Sequence, residues 1–240
     1  MSGRWLAVLT AAVVLASALP ARADVVVFNE PGPVGCQQGC WNSTLDPTNQ
    51  GYQTFAPFRL GTTATITAVQ WQGLYIDFDN FANNPIGPST VTWQFDFYAN
   101  AGGLPGTLLY QSTLPAGSVA TTYLGTNTTL FDTPTNQYRF ATTLPADFTA
   151  TGGTSYWFSV VSEQPGSNPI FGWTSSNDAS ANSYQIYDPG LPDTSNDVLG
   201  NNMNFALLAA PEPAALALLA SGLVVLGAVR ARRLFGSSQD

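Results

Sequence analysis

The stretch VTWQFDFYA, residues 91–99, decides the fold. Large apolar side chains alternate with polar ones along it, with Val91, Trp93, Phe95 and Phe97 on one side and Thr92, Gln94, Asp96 and Tyr98 on the other. Successive side chains of a β-strand point to opposite faces of the sheet. The pattern therefore predicts a strand with one face in a hydrophobic core.

Similar runs recur through the rest of residues 24–210, at 25–28, 64–76, 155–161, 169–173, 182–187 and 203–209. Clusters rich in Gly and Pro separate them, at 101–106, 113–118, 143–153, 163–169 and 188–193. The apolar spacing of an amphipathic helix is missing there. We therefore expect an all-β fold, a single jelly-roll-like β-sandwich of about nine or ten strands. Without crossover helices, a parallel α/β sheet is excluded.

Eight large aromatic side chains are the candidates for the core of this sandwich. They are Trp71, Trp93, Trp157, Trp173, Phe95, Phe97, Phe158 and Phe171. Side chains of this size fill an interior between two sheets that are about 10 Å apart. We expect the domain to fold without a metal or cofactor.

Charge limits the partners of the domain. The chain has no lysine or histidine, and residues 24–210 contain only Arg59 and Arg139 against thirteen acidic residues, a formal charge of −11. Such a surface repels phosphate backbones, which excludes a nucleic-acid partner.

The N-terminus has the three parts of a secretory signal peptide. Arg4 precedes an apolar run of residues 5–19, and Ala21 and Ala23 form a small-x-small cleavage site before Asp24. A membrane anchor is the alternative, but the run is short for a full span. We expect a signal peptide at 1–23 and an exported domain at 24–210.

The C-terminus combines a proline motif, an apolar run and arginines. Pro211, Glu212 and Pro213 precede residues 214–229, and Arg230, Arg232 and Arg233 follow them. As a helix the run would be about 24 Å long, which spans a thinned bilayer with the arginines on the cytoplasmic side. The alternative, a buried helix of the domain, fits poorly because every helical face is apolar.

This order of Pro-Glu-Pro, apolar stretch and arginines resembles the PEP-CTERM sorting signal of Gram-negative bacteria, over residues 211–233. The resemblance implies processing by a membrane exosortase near Pro211–Pro213 and delivery to the cell surface or extracellular matrix. Residues 234–240 form a short tail that many such signals lack. Segments 95–111, 138–161, 171–173 and 202–209 are also similar to a sandwich domain common among these exported proteins, which implies no particular activity.

Cys36 and Cys40 are the only cysteines of the chain. An exported chain meets an oxidising compartment, so we expect a disulfide between them. The alternative, a metal site, lacks further cysteine or histidine ligands. The short loop limits the stabilisation to about 2 kcal/mol.

Catalytic constellations are hard to find in this composition. Without histidine there is no Ser-His or Cys-His pair, and without lysine there is no Schiff base. Paired carboxylates remain as a remote option for a hydrolase. We therefore expect a protein that is not an enzyme.

Two binding sites can be proposed from residue type. Asp77, Asp79 and Asn80 lie in an oxygen-rich segment that suits calcium, and the alternative, a solvated turn between strands, is the simpler interpretation. Trp157, Trp173, Tyr184 and Tyr187 are candidates for stacking on sugar rings, against the alternative that they belong to the core.

These observations favour a non-catalytic, surface-displayed or matrix protein that acts in adhesion or extracellular-polymer interaction. The alternative is a carbohydrate-binding module with one defined glycan ligand. The expected partners are a membrane exosortase, the membrane itself and extracellular polysaccharide.

Overall fold

The computed structural model describes residues 24–32, 39–77, 91–127, 134–164, 169–177, 181–189 and 196–210. These ranges form fourteen β-strands and contain no helix. These described ranges therefore contain no helix that is long and apolar enough to cross a membrane. The strands belong to one compact unit, Val25–Ala209.

The strands form two seven-stranded sheets. Sheet I contains β1 (Val25–Glu30), β2 (Cys40–Asn42), β5 (Ala64–Ile76), β8 (Ala120–Asn127), β9 (Thr135–Ala150), β11 (Ile170–Thr174) and β14 (Phe205–Ala209). Sheet II contains β3 (Thr44–Leu45), β4 (Tyr52–Arg59), β6 (Thr92–Ala101), β7 (Leu104–Leu114), β10 (Ser155–Glu163), β12 (Tyr184–Tyr187) and β13 (Asn196–Val198). The predicted β-sandwich is thus confirmed.

Eight of the strands have the neighbour order of a jelly roll. In sheet I the order is β1-β14-β5-β9, and in sheet II it is β4-β10-β6-β7. All these pairs are antiparallel, whereas the short β3 pairs with β10 in parallel. β5 is thirteen residues long, so one of its edges accommodates β14 and then β11, while the other pairs with β9.

The alternation in β6 is confirmed, because its apolar residues fill the space between the sheets. Trp93, Phe95 and Phe97 are fully buried. Trp93 meets Trp71 of β5 edge to face at 5.0 Å between ring centroids, and Phe97 stacks on Phe148 of β9 at 4.3 Å. Aromatic rings from both sheets thus interlock into one core.

Seven of the eight aromatic side chains proposed for the core lie in it. Trp157 is also buried, but it belongs to a second, smaller core cluster. Its neighbour Phe158 points into the core, so Trp157 points to the outer face of sheet II, where it packs with Phe55 and Tyr184.

The boundaries differ from the sequence prediction in two ways. The structure has more strands than predicted because β2, β3 and β13 are only two or three residues long. The segment 143–153, which was expected to be a turn, instead continues β9 to Ala150. The register shifts between Ile66 and Ala68 of β5, so the extra residues of β9 form a bulge there.

Candidate functional site

A pair of tyrosines, one exposed and one half-buried, lies where β4 begins and β12 ends. Tyr52 and Tyr187 are direct partners across these antiparallel strands, which places both side chains on the same side of the sheet. Their ring centroids are 4.8 Å apart, with the ring planes inclined by 48°. Tyr187 is 42% exposed and Tyr52 is half-buried. The pair therefore offers an aromatic surface to a ligand.

The tyrosines border a cleft of about 470 Å³. This volume lies within the usual range for small-molecule sites, roughly 300–1,000 Å³. Most of the remaining lining is polar, and it consists of Asn42, Thr44, Asp46, Gln50, Gly51, Ile170 and Asp188. Amide, hydroxyl and carboxylate groups thus surround the aromatic surface.

Asp188 forms hydrogen bonds to Gly51 across the cleft. Its backbone N–H donates to the carbonyl of Gly51 at 2.7 Å, and its Oδ1 accepts from the N–H of Gly51 at 2.7 Å. Asp188 has a φ of 50°, in the left-handed region that Asp tolerates better than most residues. The charge of Asp188 raises the pKa of Tyr187 above its ordinary value. The phenol of Tyr187 therefore remains a hydrogen-bond donor at neutral pH.

Asp46 shapes the opposite rim. Its Oδ1 accepts hydrogen bonds from the hydroxyl of Thr48 at 2.7 Å, the N–H of Thr48 at 2.8 Å and the N–H of Gln50 at 2.9 Å. These bonds, that of the Thr48 hydroxyl above all, hold the pKa of Asp46 below its ordinary value. Asp46 is therefore an ionised acceptor at neutral pH and is unsuited to be the general acid that a two-carboxylate hydrolase requires.

The four aromatic residues proposed for sugar stacking are not brought together. Only Tyr187 lies in the cleft. Trp173 is wrong for this role, because it is fully buried in the core and its Nε1 donates to the carbonyl of Asn204 at 2.9 Å. Trp157 and Tyr184 do lie near each other, with ring centroids 6.5 Å apart, but they are only 4% and 9% exposed.

Tyr52 is the residue that the sequence reasoning missed. It lies in the run GYQTFAPFR, residues 51–59, whose aromatic residues are typical of a strand although apolar and polar residues do not alternate in it. Its pairing with a residue at the other end of the domain is a tertiary contact, and no local pattern signals it.

A second polar cluster surrounds Asp96 on the outer face of sheet II. Its Oδ2 accepts from Nε2 of Gln94 at 2.7 Å, Nε2 of Gln53 at 2.9 Å and the hydroxyl of Tyr98 at 3.4 Å. Asp96 is fully buried, and burial raises its pKa to about 6. Because Asp96 itself is fully buried and hydrogen-bonded to three side chains, we regard the cluster as a structural feature.

The calcium prediction remains a prediction. Asp77 follows the last residue of β5, whereas Asp79 and Asn80 lie outside the described residues. Within the described ranges no three acidic or cysteine side chains come close enough to hold a metal ion.

Other predicted features also lie outside the described residues. They are the cleavage site at Ala21 and Ala23, the motif Pro211–Pro213, the apolar run 214–229, and Arg230, Arg232 and Arg233. Cys40 is disulfide-bonded, and its expected partner Cys36 lies in an undescribed segment.

The fold defines the class as an antiparallel jelly-roll sandwich with a polar cleft. Within that class, the chain belongs to the family described as a domain of unknown function, DUF7901, whose model matches residues 58–204. The match covers more than half of the chain and includes Tyr187 but not Tyr52. No curated protein and no solved structure matches the chain.

Proposed function

We propose that this protein is an exported, non-catalytic display protein that binds extracellular polysaccharide through the cleft of Tyr52 and Tyr187. One observation carries the proposal, namely a pair of aromatic rings that line a cleft and are surrounded by amide, hydroxyl and carboxylate groups. The apolar face of a sugar ring packs on an aromatic ring, and its hydroxyls exchange hydrogen bonds with such polar groups.

The polar lining favours a neutral sugar in this cleft. Asp46 and Asp188 both lie at its rim, and ionised carboxylates accept hydrogen bonds from hydroxyl groups but repel anions. A module with one defined glycan ligand is a narrower form of the same proposal. A hydrolase that uses only carboxylates is a remote alternative, and Asp46 is a poor candidate for its acid.

Substitution of the tyrosines tests this proposal. We expect Tyr52→Ala and Tyr187→Ala each to weaken binding to a neutral polysaccharide by about tenfold or more, since each removes apolar contact area. Affinity electrophoresis against a panel of neutral polymers measures the effect. Tyr123→Ala is the matched control, because Tyr123 is 56% exposed and also lies beside another tyrosine, Tyr138. Equal retardation of all four proteins would contradict the proposal.

Export and anchoring form the second part of the proposal. The signal-like N-terminus and the resemblance of residues 211–233 to a PEP-CTERM signal support export, exosortase processing and display on a Gram-negative cell surface. Intact-mass spectrometry of surface and secreted material tests it. We expect a species that starts at Asp24 and ends near Pro211–Pro213. A membrane species that retains Arg230–Arg233 would show a permanent anchor instead.

A further inference from the structure

A groove of about 380 Å³ lies on the outer face of sheet I, and it shares no lining residue with the tyrosine cleft. Its side walls come from adjacent strands. Arg139 of β9 pairs directly with Gln72 of β5, and Gln70 of β5 pairs directly with Ala206 of β14. Residues 70 and 72 of one strand share a face, so these four side chains lie on the same face. The side chain of Ala206, beside Gln70, is small and leaves space in the groove.

The groove differs from the rest of the domain in charge. Arg139 is one of only two cationic residues in a stretch with thirteen acidic ones, and its side chain is exposed. The described residues that line the groove include carboxamides and this guanidinium, but no carboxylate. In the described part of the chain Arg139 has no ion-pair partner. An anion that the acidic surface elsewhere repels can therefore be accommodated here.

Asn204 provides an independent observation. It lines the groove and is 5% exposed, and its Nδ2 has no hydrogen-bond partner among the residues that the structure describes. Gly32 packs against this amide so closely that a Cβ there would lie 2.7 Å from Nδ2. A buried donor without an acceptor costs free energy, and an oxygen atom of a ligand would relieve that cost.

We propose that this groove is a second binding site, which takes the carboxylate group of an acidic sugar. The guanidinium of Arg139 forms the charge-assisted pair, because its planar donors match a carboxylate. Gln70, Gln72 and Asn204 donate to the remaining oxygens of the sugar. Glu30 lies between the lining residues Asn29 and Pro31 in the chain, but it lines a different cavity, where Nδ2 of Asn202 donates to its Oε2. The site shares no residue with the tyrosine cleft and does not depend on it.

Trigalacturonate and its methyl ester, which has the same ring shape without the charge, are the probes. Isothermal titration calorimetry with the purified full-length chain gives the two affinities. We expect the free acid to bind about tenfold or more tightly than the ester, because a hydrogen bond between charged groups is lost in the ester. Failure of the free acid to bind, or equal affinity of the two probes, would overturn the proposal.

Three variants test whether the preference for the free acid arises in this groove. We expect Arg139→Gln to reduce the affinity for trigalacturonate to that for the ester, and Gln72→Glu to do the same by placing a carboxylate beside Arg139. Arg59→Gln is the matched control, since it removes the only other arginine of residues 24–210 and is expected to change nothing. An equal loss in Arg59→Gln would show a general charge effect and overturn the site.

Tyr187→Ala separates this site from the tyrosine cleft. It is expected to leave the difference in affinity between acid and ester unchanged, whatever its effect on neutral polymers. Loss of that difference in Tyr187→Ala would assign the carboxylate to the cleft and overturn the groove.

Discussion

Two aromatic groups on sheet II differ in an instructive way. Phe55, Trp157 and Tyr184 point to the outer face, yet they are almost completely buried. Tyr52 and Tyr187 point to the other face of sheet II, the face that carries the core residues. Tyr187 is nevertheless 42% exposed. Parity along a strand therefore assigns a side chain to a face of the sheet, but it does not decide whether solvent reaches that side chain.

The largest expected effect on stability concerns the buried aromatic group of Phe55, Trp157 and Tyr184. Trp157→Ala should lower the free energy of unfolding by about 3–5 kcal/mol, the usual cost of removing a large buried aromatic side chain. It also removes the bond from Trp157 Nε1 to Asn100 Oδ1, which is 3.0 Å long. Urea denaturation measures the change. Tyr187→Ala is the control and should cost less than about 1 kcal/mol. An equal loss of unfolding free energy in the two variants would contradict the distinction between the buried and the exposed aromatic group.

The next effect is the pH dependence caused by Asp96, beside the same outer-face aromatic cluster. Its pKa is about 6 in the folded protein against an ordinary 3.8, so the folded state retains the proton to higher pH than the unfolded state. The contribution of Asp96 to the free energy of unfolding is therefore fully present below about pH 3.8 and is lost as the pH rises through about 6. The loss is roughly 3 kcal/mol at 1.36 kcal/mol per pKa unit.

Urea denaturation of Asp96→Asn between pH 4 and pH 7 checks this expectation. In this variant the free energy of unfolding should no longer fall with rising pH by the amount that Asp96 contributes. Asp147→Asn serves as the control because Asp147 is exposed on β9, and it should retain the wild-type profile. A wild-type profile in Asp96→Asn would mean that Asp96 does not titrate in this range.

The smallest effect refines the role of the exposed tyrosine. Tyr187→Phe retains the ring and removes only the hydroxyl, so affinity for a neutral polysaccharide should fall by less than about fivefold. The same affinity measurement as for Tyr187→Ala applies. A loss as large as in Tyr187→Ala would show that the hydroxyl, and not the ring, makes the decisive contact.

The sequence predicts the sandwich because its strongest strands alternate cleanly. β6 is the clearest case, and the Gly102–Gly103 turn that follows it was also expected, with positive φ values of 65° and 90° at both residues. The β9 bulge was missed because residues 143–150 are rich in Thr and Ala and include a proline, which locally favours a turn. Only the pairing with β5 makes this segment a strand.

The sites were predicted less well, for a different reason. Composition indicated that aromatic and amide groups would form a binding surface, and Tyr187 was among the candidates. Tyr52 and Arg139 become neighbours of their partners only through the pairings of β4 with β12 and of β9 with β5. Such pairings join residues far apart in the chain, so residue type alone could not identify either the cleft or the groove.

The scarcity of basic residues also determines how this domain is digested. A protease that cuts after lysine or arginine has only two targets between residues 24 and 210, Arg59 and Arg139. Both lie within strands whose backbones are paired with neighbours, Arg59 with Ser155 and Arg139 with Gln72 and Thr122. Cleavage at either target therefore requires the sheet to open. Survival in trypsin consequently reports how often the domain unfolds, and a protein with this composition persists among such proteases for as long as it stays folded.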